Sequence, residues 1–81
     1  MKNLINGWEK KIELALKVGK GKYGKYTFVG DLFNYKKIIK LMRANEIEKA
    51  ARLAYDLDTG ARDEIPTTIW RVLDKAYYAD D

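Results

Sequence analysis

The sequence predicts an all-α fold, a small bundle of about four short helices. Three observations carry that expectation. Apolar residues recur at helical spacing in four separate stretches. Gly19, Gly60 and Pro66 punctuate the boundaries of those stretches. One segment, KYTFV at Lys25–Val29, has the β-branched and aromatic content of a strand, but no second convincing strand exists to pair with it. It is read as a short extended segment after the first helix, free to pair with its own copy in a dimer.

In the first helix Ile5, Trp8, Ile12, Ala15 and Leu16 share a face. Asn6 with Glu9 has the form of a capping box, and Lys17 followed by Gly19 is a C-terminal signal. The second helix is expected from Leu32 to Arg43, with Asp31 as N-cap. Leu32, Tyr35, Ile38, Ile39 and Met42 form its apolar face, and Lys36, Lys37, Lys40 and Arg43 share the opposite one. Asn45 and Glu48 repeat the N-x-x-E form and predict a third helix, its face made by Ile47, Ala50, Ala51 and Ala54, ended by Gly60. The fourth opens at Pro66, which suits a first helical position, and turns Ile69, Val72, Leu73 and Ala76 inward. Core candidates also include Leu4, Phe28, Leu53 and Trp70. The second and third helices, separated by a two-residue break, have helix-turn-helix spacing but lack the usual glycine in the turn.

The 81 residues are expected to form a single domain, 1–81, whose core is marginal for a monomer. A homodimer is therefore expected. The chain has no Cys and no His, which excludes disulfides, a thiolate nucleophile and an imidazole base or metal ligand. No apolar run reaches membrane-spanning length, so a cytoplasmic location without membrane contact is expected. Charge is distributed unevenly. Residues 1–43 hold 11 Lys/Arg against 3 Asp/Glu, and residues 44–81 hold 5 against 9. A basic front half favours a polyanionic partner.

The segment GKGKYGKY, Gly19–Tyr26, contains G-x-G-x-x-G and nearly a P-loop. Both nucleotide motifs require a strand before and a helix directly after. Here a helix precedes and an extended segment follows, and Tyr26 stands where a compact hydroxyl is needed. The triplet Asp58-Thr59-Gly60 resembles that of retroviral-type aspartic proteases, but over five residues, and an Ala-rich helix leads into it. Asp56, Asp58, Asp63 and Glu64 miss the spacing of a calcium loop and read as a solvated acidic stretch. No enzymatic activity, cofactor or metal is expected.

What remains is chemistry suited to nucleic acid. Lys20, Lys22 and Lys25 alternate with glycines that let a backbone approach, and Tyr23 and Tyr26 offer flat faces for unpaired bases. Lys36, Lys37, Lys40 and Arg43 follow on the second helix, after Lys10, Lys11 and Lys17 on the first. Lys20, Lys22, Lys25, Lys36, Lys37, Lys40 and Arg43 would neutralise phosphates. The sequence therefore predicts a binder of RNA or single-stranded DNA. The second reading is a protein-binding modulator, a small inhibitor or antitoxin-like factor of phage or mobile-element type, using Asp56, Asp58, Asp63 and Glu64 against a basic target. The stretch RLAYDLDTGARDEIPTTIW, Arg52 to Trp70, resembles the C-terminal part of the Hha/YmoA family, small helical proteins that modulate nucleoid-associated DNA-binding proteins. Residues 1–45 have no counterpart there, so the family is not adopted. The resemblance implies a regulatory, protein-binding role.

Overall fold

The computed structural model describes residues 1–18 and 29–79, and they form five helices. These are α1 (Lys2–Val18), α2 (Val29–Arg43), α3 (Ile47–Tyr55), α4 (Thr59–Asp63) and α5 (Thr67–Tyr78). Among the described residues there is no strand, and the fold is the expected all-α bundle. Lys25 to Phe28 of the expected extended segment lie outside the described residues. Val29, its last residue, already belongs to α2.

α2 and α3 lie at the centre. α1 packs on α2, α2 on α3, and α3 on α5. The predicted apolar faces are the buried ones. Trp8, Ile12, Tyr35, Ile38, Ile39, Ile69 and Leu73 are all but inaccessible to solvent. Burying each of the Ile and Leu side chains stabilises by about 1.5–3 kcal/mol. Ala50, Ala51 and Ala54 are fully buried on α3. Their small side chains let α3 sit closely against both of its neighbours. Leu4 departs from its expected core position and is exposed. It lies one turn from the chain start, off the Ile5–Trp8–Ile12 face. Leu16, Ile47, Leu53 and Trp70 pack partly buried around the core.

The helix boundaries differ from the expected ones in five places. α1 begins at Lys2, so Asn6 and Glu9 stand inside it and cap nothing. Asp31 falls in the first turn of α2, where a carboxylate meets the positive end of the helix, rather than at its N-cap. Asn45 does not cap α3. It ends α2, in the left-handed region at φ 60°. The Asn45 amide donates to the Met42 carbonyl at 3.0 Å and the Glu46 amide to the Leu41 carbonyl at 2.8 Å. These are the two bonds of a Schellman ending, with asparagine in the place glycine usually takes. The missing glycine of the α2–α3 turn is thus supplied by Asn45.

The fourth difference is an added helix. α3 stops at Tyr55, and α4 forms a single extra turn that contains Gly60. Gly60 ends nothing. α4 is pinned from below. Ala61 and Ile65 are buried, and the Tyr35 hydroxyl, itself buried, donates to the Ala61 carbonyl at 2.5 Å. Pro66 stands at the N-cap of α5, one residue ahead of the expected first helical position.

Candidate nucleic-acid interface

α2 is amphipathic in two senses. Its apolar side faces α1 and α3. Beside that side runs a row made of Phe33, Lys36, Lys37, Lys40 and Arg43, each three, four or seven residues from another, so that they share one flank. Together with Glu9 of α1 these residues line a groove of about 450 Å³. Lys37 and Lys40 are exposed and Lys36 is half-buried. None of the three lysines forms an ion pair with a described residue.

Arg43 is different. One guanidinium nitrogen donates to the Glu9 carboxylate at 2.7 Å and another to Oδ1 of Asn6 at 2.6 Å. The i, i+3 spacing of Asn6 and Glu9, read in the sequence as a capping box, instead puts both on the face of α1 that grips Arg43. The pair clasps α1 to the C-terminal turn of α2. The hydrogen bond from Arg43 lowers the pKa of the Glu9 carboxyl below its ordinary value, against burial, which raises it; the charges of Arg43 and Lys36 add to the lowering. Because Glu9 and Arg43 cancel each other, the three lysine ammonium groups set the sign of the groove.

Of the predicted site residues, the structure brings together Lys36, Lys37, Lys40 and Arg43. Lys20, Lys22, Tyr23, Lys25 and Tyr26 lie outside the described residues. Lys10, Lys11 and Lys17 are exposed on α1 and are not among the residues lining the groove. Sequence reasoning passed over Phe33, which is 53 % exposed in the middle of the basic row. The signal was there to find. Phe33 stands off the Leu32–Tyr35–Ile39–Met42 face, at i−3, i−4 and i−7 from the three lysines.

The acidic half has its own surface. Asp56, Asp58 and Asp63 are exposed and Glu64 is half-buried. Among the described residues no three acids converge as metal ligands would. Tyr55 stacks on Tyr77 with ring centroids 3.9 Å apart, meets Trp70 at 5.1 Å, and carries the Arg62 guanidinium over its ring at 5.7 Å. The Tyr55 hydroxyl donates to the Asp74 carboxylate. A cleft of about 300 Å³ opens beside this cluster between α4 and α5. Among the described residues no helix is long and apolar enough to cross a membrane. No protein-family model matches the chain, and neither the curated proteins nor the solved structures offer a significant match.

Proposed function

We propose that this chain is a non-enzymatic nucleic-acid-binding protein that favours RNA or single-stranded DNA. The observation that supports the reading is the row Lys36, Lys37 and Lys40, three ammonium groups on one groove, none of them in an ion pair with a described residue. Like charges gathered on one face repel one another, and a phosphate backbone relieves that repulsion while releasing counterions. Arg43 serves the groove by orienting α1 and by neutralising Glu9, and contributes less as a free phosphate contact. Lys20, Lys22 and Lys25, with Tyr23 and Tyr26, precede α2 in the sequence. In this reading they extend the basic row, adding phosphate contacts and stacking faces. The protein acts as a homodimer in the same reading, which doubles the charged surface.

The test is fluorescence anisotropy on a labelled RNA, a DNA single strand and a duplex of equal length, over a series of salt concentrations. Each phosphate contact contributes about 0.7 to the slope of log affinity against log salt for a single strand. Changing Lys36, Lys37 and Lys40 together to Ala should flatten that slope by about 2. Changing Lys22 and Lys25 to Ala should flatten it further. A wild-type protein that binds none of the probes at low salt, or slopes untouched by the substitutions, would sink the reading.

A second reading, a protein-binding modulator, draws support from the exposed acids Asp56, Asp58 and Asp63 close in sequence to the Tyr55–Tyr77–Tyr78 cluster, where both outer tyrosines are exposed. Acids beside aromatic rings suit a basic protein target. Its test is a partner captured by the wild-type chain and lost when the three acids are changed to Asn.

A further inference from the structure

We infer that Phe33 is a base-stacking platform, and that it makes the α2 groove selective for unpaired bases. The inference rests on the nucleic-acid reading of the same groove. Three features place it there. First, Phe33 is the largest apolar side chain left uncovered on α2, while Tyr35, two residues on, is fully buried. An exposed phenyl ring on a surface otherwise made of charge has no role in the core. Second, the ring stands among Lys36, Lys37 and Lys40 and lines the same groove. Aromatic faces interleaved with cations are what a single strand needs, since the lysines take the phosphates and the ring takes a base. Third, the row is short. From residue 33 to residue 40 the helix rises about 10 Å. At about 3.4 Å per phosphate of a stacked strand, that accommodates roughly three nucleotides.

The charge also decides between occupants. A second copy docked through this face would bring its own Lys36, Lys37 and Lys40 against the first set, because a two-fold contact places the same patch on both sides. A polyanion meets no such repulsion. A duplex offers phosphates but keeps its base faces stacked within the helix, so Phe33 adds nothing to duplex binding.

The experiment compares four proteins on four probes. The proteins are the wild type, Phe33→Ala, Phe33→Leu and the Lys36/Lys37/Lys40→Ala triple variant. The probes are an RNA strand, a DNA strand, an abasic strand with the same number of phosphates, and a duplex. Because Phe33 is half exposed, both Phe33 variants should keep the wild-type melting curve. Phe33→Leu keeps apolar bulk without a ring face. The expected result is that both weaken the RNA or DNA strand roughly 5- to 140-fold, the loss of one base stack, and leave abasic and duplex affinity within about twofold. A fifth protein, Phe33→Trp, keeps a ring face and should bind the strands as the wild type does. RNA against DNA distinguishes the source of the strand. If the Phe33 variants weaken all probes alike, or none, the stacking role is overturned. The lysine triple variant then reports on the parent reading separately, since weakened binding there leaves a phosphate-binding groove without a platform. If Phe33→Ala changes self-association and leaves every affinity unchanged, the face belongs to a second copy and the inference fails. A wild type that binds no probe overturns both.

Discussion

The Tyr35 hydroxyl ties α4 to the bundle by a buried hydrogen bond, and removing it measures how α4 is held. The Tyr35→Phe variant keeps the ring, so the contact with Trp8 at 5.3 Å between centroids survives and no sizeable cavity opens. What is lost is the bond to the Ala61 carbonyl, buried and spanning 26 residues of sequence. The Ala61 carbonyl keeps the Glu64 amide as a donor at 3.3 Å, so the loss is the net worth of one buried hydrogen bond, about 0.5–1.5 kcal/mol. For a domain of this size each kcal/mol moves the midpoint by about 4–8 °C, so the melting temperature should fall by roughly 2–12 °C. Thermal and urea melts followed by circular dichroism give the magnitude. Native-state hydrogen exchange gives the place. The Arg62 and Ile65 amides, which bond to the Asp58 and Arg62 carbonyls, should lose more protection than amides in the centre of α2. A loss below about 0.5 kcal/mol, too small for a buried hydrogen bond, would refute the reasoning. So would exchange that quickens equally everywhere, because the bond would then not be what holds α4.

Other expected outcomes test other parts of the fold. Asn45→Ala should lower stability in urea by about 1 kcal/mol, because a β-carbon is disfavoured at φ 60°, while Asn45→Gly should be neutral or slightly stabilising. Equal effects of Ala and Gly would remove the left-handed assignment. Gly60→Ala should stabilise by about 0.5–1 kcal/mol, since Gly60 is helical and a β-carbon there meets open space. A loss of stability in urea would show that Gly60 is needed as glycine. The bond to Asp74, then burial and the neighbouring Tyr78, raise the Tyr55 pKa above its ordinary value near 10. A raised folded-state value means that the contribution is fully present below pH 10 and is lost as pH rises beyond it. Ultraviolet titration at alkaline pH should show a tyrosine that ionises well above pH 10, and Asp74→Asn should lower the pH of its ionisation. No late tyrosine in the wild type would contradict the assignment.

Much of this architecture was legible in the chain because it is local. The 3.6-residue spacing of Trp8, Ile12 and Ala15, or of Ile69 and Leu73, states which side of a helix turns inward before any partner is known. The charge asymmetry and the basic row on α2 are equally local, and so is the helix start at Pro66. The site was legible only in part. Lys36, Lys37 and Lys40 could be read as one stripe, but the sequence by itself could not say that Arg43 beside them was already held.

That decision belongs to the tertiary structure, because it depends on groups far apart in the chain. Asn6 and Glu9 look like a cap within their own helix and become the grip on Arg43 only when α1 lies along α2. Asn45 looks like the start of one helix and proves to be the end of another, since two backbone bonds to Met42 and Leu41 outweigh a single side-chain cap. α4 has no strong pattern of its own in five residues. It is held against the bundle by the donor that Tyr35, 26 residues earlier, offers to Ala61, and by the burial of Ala61 and Ile65. Phe33 shows the same division. Periodicity alone placed it off the apolar face, but only the packed helices decided that nothing in the described chain would cover it. A helix face follows from bonds between near neighbours, whereas the use to which a face is put follows from which other face the fold presses against it.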